Sequence, residues 1–202
     1  MSILAATRIV HPRILYFGTP VVLLTTENED GTPNITPMSS AWALGDRVVL
    51  GLGEGGQGLA NLRARPQCVI NLPDGTHWRA VEALAPLTGA CPVPESKRSQ
   101  FRHAQDKFAA SGLTAEASIK VNPPRIAECP LQIEAEVEEI RMTGDRGPFA
   151  IIEARAVAVH AHEDILADDT HIAPRLWSPL IYSFRHYFSL GEELGKTFRA
   201  EV

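Results

Sequence analysis

No apolar run in this sequence reaches the roughly 18 residues that a membrane-spanning helix requires. No basic stretch followed by a long apolar core opens it either. A soluble cytoplasmic protein is therefore the expectation. Positive charge is in short supply: 19 lysines and arginines stand against 24 aspartates and glutamates, a formal net charge of -5. That balance gives no footing for nucleic acid or an anionic membrane surface as a partner. Cysteine is scarce. Cys68, Cys91 and Cys129 are odd in number, and no CxxC or His/Cys spacing joins them. A disulfide framework and a zinc site are therefore not indicated, and reduced, buried thiols are expected. No glycine fingerprint of the GxGxxG type follows a first strand, and the βαβ alternation of a doubly wound nucleotide fold is missing. Ser39-Ser40 has no His/Asp partner at a recognisable spacing, which argues against a hydrolase. There are no internal repeats and no low-complexity linker.

What remains is an ordinary globular balance, 45% hydrophobic and 21% charged over 202 residues. The length suits a single domain, 1–202, that buries roughly 70% of its unfolded surface. Val21 to Thr26 is β-branched and nearly all apolar, the pattern of a buried strand. Asp30-Gly31 tolerates positive φ and predicts a hairpin into an antiparallel strand over 33–38. Pro33 and Pro37 cannot donate to a ladder, so that strand is expected at a sheet edge or bulged. Tyr16-Phe17 are expected to pack on the first strand. Gly45-Asp46 predicts a second turn, Arg47 to Leu52 a third strand, and Gln67 to Leu72 a fourth. Between the last two, Gly53-Glu54-Gly55-Gly56-Gln57-Gly58 is a glycine-dense loop opening a short helix that stops before Pro66. Backbone N–H groups can approach an anion there, because glycine has no Cβ, and the helix start adds donors and a favourable dipole. A plain flexible turn is the alternative.

Residues 76–112 read as a helical insertion. Trp78, Val81, Leu84 and Leu87 recur by threes, and a longer helix is predicted from Pro94 with Phe101, Ala104, Phe108 and Ala109 on one face, capped at Gly112. Strands resume at Ile119 to Val121. Leu131, Ile133, Ala135 and Val137 alternate with Gln132, Glu134, Glu136 and Glu138, which predicts a strand with one buried and one wet face. Asp145-Arg146-Gly147 predicts a hairpin to a partner strand over 149–160, and an aromatic-rich extension occupies 164–202. Short strands joined by hairpins, with the helices gathered in one insertion, favour a mainly β antiparallel barrel.

The order of these motifs resembles the flavin reductase-like, FMN-binding split-barrel family. The segment Glu29 to Ser40 is similar to the family's hairpin into a Pro/Ser-rich strand, Val69-Ile70-Asn71-Leu72 to its "VINL" strand, and Pro124 to Leu131 to its "PRIxEsP" strand. Tyr187 to Gly191 resembles a closing segment of some members. The likeness covers roughly residues 16–160 and rests on order and spacing. It implies a six-stranded Greek-key split barrel, a homodimer, and FMN near the subunit interface. The family's flavin contacts would fall on Thr36, Pro37, Met38, Ser39, Ser40, Ala41 and Trp42. Phosphate contacts would fall on Gly51, Leu52, Gly53, Gly56, Gln57, Gly58, Leu59 and Asn61. Many members carry Lys or Arg with Thr in the loop, whereas this chain has Gly55-Gly56-Gln57-Gly58. Phosphate would then rest on backbone N–H groups, Gln57, and a distant arginine such as Arg63 or Arg102.

The implied activity is that of an NAD(P)H:flavin reductase-like oxidoreductase, with NADH or NADPH as transient electron donor. A flavin- or haem-binding barrel without turnover is the alternative, and a cofactor-free structural dimer a third. No acid–base dyad stands out, so no catalytic residue is assigned; the chemistry would lie with the cofactor. His160-Ala161-His162 could pair on a metal, but no third ligand is evident and surface histidines are the expectation. His77 and Trp78 are candidates to cap a nicotinamide, Trp42 either lines a flavin or packs in the core, and Tyr182 to Phe188 reads as core or dimer surface.

Overall fold

The computed structural model describes residues 6–144, 149–198 and 200. Its centre is an antiparallel sheet of β1 (Val22–Glu27), β2 (Pro33–Met38), β3 (Ala41–Leu44), β4 (Arg47–Gly53), β5 (Gln67–Leu72), β6 (Leu131–Met142) and β7 (Phe149–Ala161), in the order β2-β1-β5-β6-β7-β4-β3. The predicted mainly β architecture is therefore observed. The segment read as one hydroxyl-bearing stretch divides into β2 and β3, which adds a strand to the expected set. These two strands form opposite edges of the sheet, yet only Ser39-Ser40 separates them. Two residues span roughly 7 Å, so the sheet must curl until its edges nearly meet. Gly51 N–H donates to the Ser40 carbonyl at 2.8 Å, carrying the β3–β4 ladder one pair beyond Ala41↔Leu50 and up to the seam. A Cβ on Gly51 would stand 2.9 Å from Ser40 Cβ, so glycine is what lets β4 lie this close to the Ser39-Ser40 link.

Apolar side chains fill both faces of β1, as its unbroken hydrophobic run requires. Val22 and Leu24 join Leu50, Ile70, Ile152 and the α1 (Gln57–Ala64) residues Leu59 and Leu62 inside the barrel. Leu23 faces the other way, with Ile35, Val81, Leu84, Phe108 and Leu180. That second cluster seats the insertion against the outside of β1 and β2. Helix α1 ends before Pro66, and its predicted packing holds: Leu59 and Leu62 are 2% and 1% exposed.

Five expectations are corrected. The insertion contains α2 (Trp78–Leu84) and only a short α3 (Lys107–Ser111); the longer helix from Pro94 is instead a single 3-10 turn over Glu95–Lys97, a short strand at Arg102–His103, and then α3. Asp106 caps α3 by accepting from Ala109 N–H, which starts the helix thirteen residues after Pro94; Gly112 closes it at φ +70°. Residues 119–121 form no strand. Their N–H groups at Ile119, Lys120 and Val121 instead donate to Glu134 at 2.9, 2.6 and 3.1 Å. That contact corrects half of the wet face of β6: Glu134 and Gln132 are buried, because the 115–126 loop covers them, while Glu136 and Glu138 keep 43% and 40% of their side chains exposed, and a bulge follows Glu134. Finally, Phe17 is exposed rather than packed, and Cys91 is exposed while Cys68 and Cys129 are buried. The turn predicted at Asp145 to Gly147 lies outside the described residues; β6 and β7 pair antiparallel from Met142↔Ala150 onward.

Burial pushes the Glu134 carboxyl up, but the three backbone donors and His160, at 2.7 Å, outweigh it and hold its pKa below the ordinary range. A depressed carboxyl stabilises the fold above its unfolded pKa and loses that contribution as pH falls through the folded one. Glu134→Gln should cost about 2–4 kcal/mol at neutral pH, since charge-assisted bonds are lost and an amide N–H₂ meets backbone donors. Urea unfolding at pH 7 and again near pH 4 checks this; the deficit should shrink at the lower pH.

Candidate functional site

The seam between β2 and β3 opens into a cavity of about 390 Å³. One wall is Thr36, Pro37, Met38, Ser39 and Ser40, with Gly51, Leu52 and Gly53 of β4 and Gly56, Gly58 and Leu59 at the start of α1. Gly58 allows the helix to approach β2: a Cβ there would lie 2.6 Å from Thr36 Oγ1. The glycine loop and the hydroxyl-rich strand, twenty residues apart in sequence, thus share one depression. The opposite wall comes from elsewhere. Tyr16 precedes the barrel, Tyr182 and Tyr187 come from the C-terminal extension, and Val81, Ala85, Lys97 and Phe101 from the insertion. Phe17–Pro20 pairs with Ile181–Ser183, which pairs with His186–Phe188, and this small sheet holds the tyrosines in place. Tyr16 and Tyr182 meet edge to face at 5.5 Å, and the Tyr16 hydroxyl shares a 2.9 Å hydrogen bond with Ser40 Oγ. Tyr187 donates to Glu82 at 3.0 Å; burial, and then that carboxylate, push its phenol well above the usual value.

The lining contains no aspartate or glutamate. In a chain of net charge -5 that is a clear local bias. Helix α1 reinforces it, with no acidic residue in its first turn and no side-chain cap at Gly56, so its first N–H groups remain available as donors.

Of the predicted residues, eleven line this cavity: Thr36, Pro37, Met38, Ser39, Ser40, Gly51, Leu52, Gly53, Gly56, Gly58 and Leu59. Four do not. Ala41 points into the core, and Trp42 stands on the exposed face of β3 at 58% exposure. Asn61 is buried beneath α1, donating to Thr26 and Asn28, so its role is to tie the helix to β1. Gln57 donates to Asn61 at 2.8 Å and borders a smaller side chamber beside the main cavity. The cation expected from Arg63 or Arg102 is elsewhere too. Arg63 reaches Met142 Sδ at the surface, and Arg102 is exposed. Lys97 takes that place, its Nζ 3.8 Å from where a Gly56 Cβ would stand. Nothing local marked Lys97: it follows Gly56 by forty residues and lies in a segment misread as the start of a long helix. Tyr182 and Tyr187 read from sequence as core or dimer surface and Tyr16 as packing on the first strand, and no spacing rule sends the three to this wall.

His77 bonds Asp74 at 3.0 Å, and neither it nor Trp78 lines the cavity. His160 bonds Glu134, and His162 meets the Ala127 carbonyl at 2.9 Å. Among the described residues no group of three His, Cys, Asp or Glu side chains could hold a metal. No helix among them is long and apolar enough to cross a membrane.

The family described as "Flavin reductase like domain" matches residues 14–191. The uncharacterized protein YdfE of Bacillus subtilis (strain 168) is 51% identical over 194 residues, 96% of this chain and 94% of that protein. Flavoredoxin of Desulfovibrio vulgaris (Miyazaki F) superposes with a TM-score of 0.78 at 22% identity, covering 96% of this chain and 99% of that one. Nitrilotriacetate monooxygenase component B from Bacillus cereus gives 0.74 at 18%, covering 92% and 89%. The 2-nitrobenzoate 2-nitroreductase NbaA of Pseudomonas fluorescens gives 0.73 at 18%, covering 91% and 86%. At these identities the superpositions establish the fold.

One buried group nearby titrates unusually. Lys107 is 3% exposed, and burial pulls its pKa from the ordinary 10.5 to about 8. A lowered lysine pKa means that the unfolded chain binds more protons between those values, so stability rises with pH across that window. With ligand absent, wild type should gain stability from pH 8 to pH 10 relative to Lys107→Met, by up to about 3 kcal/mol at 1.36 kcal/mol per unit. Denaturant midpoints of the two proteins at both pH values check the slope.

Proposed function

This chain belongs to the flavin reductase-like family, and on that premise we propose that it is an FMN-dependent oxidoreductase passing a hydride from NADH or NADPH to the flavin. The observation that carries this reading is the acid-free cavity at the barrel seam, with a hydroxyl- and glycine-lined wall facing a tyrosine wall. Its volume falls in the range of small-molecule and cofactor sites. The donor set suits a phosphorylated, flat, hydrogen-bonding ring: hydroxyls of Thr36 and Ser39, the open start of α1, and Lys97.

FMN, when bound, would supply the two-electron centre of the reaction. The chain's own work is then positioning. Pro37 to Ser40 would hold the ring edge, and Thr36 with the Gly53 to Gly58 loop the ribityl phosphate. Tyr16, Tyr182 and Val81 would exclude water from the ring face, which strengthens every polar contact beneath them. The Ser40–Tyr16 bond fixes one hydroxyl in orientation and ties the N-terminal approach to the seam.

The same reading makes the protein a homodimer with the flavin near its interface. Trp42 and Leu44 are 58% and 74% exposed on β3, an open sheet edge that ends beside Ser40. An uncovered apolar edge favours a partner. The exposed thiol of Cys91 supports a reducing compartment, the cytoplasm.

Adding FMN to purified protein should quench flavin fluorescence and shift its visible bands, and the complex should oxidise NADH or NADPH. Unchanged spectra would sink the proposal. Binding without nicotinamide oxidation would leave the barrel a flavin carrier without turnover. For the interface, Leu44→Glu should convert a dimer to a monomer in light scattering and weaken FMN binding with it; a wild-type monomer at micromolar concentration refutes the dimer.

A further inference from the structure

A second pocket, of about 400 Å³, lies outside the seam cavity and is walled by Trp78, Leu180, His186, Tyr187 and Phe188. No aspartate, glutamate, lysine or arginine lines it. Trp78 and Phe188 are 38% and 53% exposed, although both border the same concavity. Exposed aromatic rings gathered in one depression mark a ligand site rather than ordinary surface. Two carboxylates of this region are engaged by the protein itself. Glu82 accepts from Tyr187, and Asp74 accepts from Thr76 and bonds His77.

The hairpin that delivers three of these side chains is strained. Ile181–Ser183 pairs with His186–Phe188, and the two residues between them, Phe184 and Arg185, stand at φ +44° and +70°. Side chains crowd the backbone in that region, which is why Asn-Gly is the usual choice for such a turn. Strain of this kind clusters at ligand clamps.

Tyr187 is the one residue, among the described residues, that also lines the seam cavity. Its ring lies 5.8 Å from Tyr182, which borders that cavity, and 6.4 Å from Trp78, which borders the second pocket. Three rings thus connect the two sites. Since the linings share nothing else, a ring bound here meets one at the seam through Tyr187 and not face to face. Hydride transfer needs direct contact of the reacting atoms, so this pocket does not suit the nicotinamide of a hydride donor. Electrons need no such contact.

The walls also select the ligand. Aromatic faces carry negative charge density and favour a flat ring poor in electrons. His186 adds a proton path. Its Nδ1 bonds the Phe184 carbonyl at 3.0 Å. A carbonyl only accepts, so Nδ1 carries the hydrogen, and Nε2 is left to take a proton from solvent and pass it on.

We propose that this pocket binds a quinone, which serves as the electron acceptor and is reduced by way of Tyr187. The inference rests on the flavin reading above. The donor's hydride brings two electrons to the seam cavity. Both leave singly past Tyr187, and the quinone takes them with two protons to become a hydroquinone. The hydride's own hydrogen is released as one of those protons, and solvent supplies the other through His186. In sum, NADH or NADPH, a proton and a quinone give oxidised nicotinamide and hydroquinone. A quinone suits electrons that arrive one at a time, because its ring and two oxygens share the first of them.

Menadione, a naphthoquinone, is the probe. In ¹⁵N-labelled protein free of flavin, the Trp78 indole N–H signal, identified by its loss in Trp78→Phe, should shift saturably at micromolar menadione. The same shift should occur with FMN filling the seam cavity. Phe188→Ala should weaken this binding about tenfold, as for truncation of an aromatic anchor. In turnover with NADH it should raise the KM for menadione to the same extent and leave FMN affinity and the KM for NADH as in wild type. Should Phe188→Ala fail to fold, Trp78→Leu gives the same comparison by turnover. No shift at Trp78, a shift abolished by FMN, or a menadione KM untouched by the variants would overturn the proposal, with flavin binding intact. Menadione binding at Trp78 in a protein that takes up no FMN would remove the flavin reading, and overturn the acceptor role with it.

Discussion

The two edges of the sheet are joined by two residues, and that covalent constraint organises the rest of the molecule. β2 and β3 bound opposite sides of seven paired strands, yet Ser39-Ser40 is all the chain between them. Neither flat nor gently twisted pairing satisfies so short a link. The sheet has to curl, and the place where it fails to close becomes a slot with unpaired backbone on both sides. Gly51 lets β4 pair up to Ser40, at the rim of that slot. A hydroxyl-rich, partly unpaired strip in a concave surface follows from closure itself, before any ligand is considered.

The elements that cover the slot have their own requirements. β1 is apolar on both faces because the barrel interior uses one and the insertion the other. Without α2 and α3, Leu23 and Ile35 would lose their cover, so the insertion is part of the core as well as a wall of the cavity. The 115–126 loop does for β6 what the insertion does for β1. It covers Gln132 and Glu134, and the buried carboxylate is tolerated because three backbone N–H groups and His160 converge on it.

That convergence marks where the sequence stops being readable. Period-2 alternation over Leu131 to Glu138 locates the strand correctly, but polarity alone cannot reveal whether a glutamate faces water or a set of orphan donors from a distant loop. Strand positions, the Asp30-Gly31 hairpin, the edge placement implied by Pro33 and Pro37, and the α1 stop at Pro66 are all local matters, settled by turn chemistry and sterics. The half of the cavity on β2, β4 and α1 was legible for the same reason, through glycine and hydroxyl motifs close to one another. Trp42 and Asn61 fall outside the cavity lining because membership in a motif does not say which way a side chain points. Pro94 to Gly112 failed because apolar spacing by threes and fours persists through a 3-10 turn and a short extended piece.

The cation shows most plainly how the two halves depend on each other. A glycine loop free of lysine and arginine can approach a phosphate closely, but backbone dipoles alone leave a dianion under-compensated in a partly buried site. The insertion answers from the other side. Lys97 and Lys107 both border the side chamber, each held by insertion segments whose seat is the β1–β2 face. The charge therefore arrives by tertiary packing, from residues forty to fifty positions away, rather than by local motif. An anion bound between the glycine loop and the insertion would make ligand affinity and the seating of the insertion a single equilibrium. Anything that loosens Leu84 or Phe108 from the outer face of the barrel also moves the positive end of the cavity away from its glycine loop, and an anion held between them opposes that loosening in equal measure.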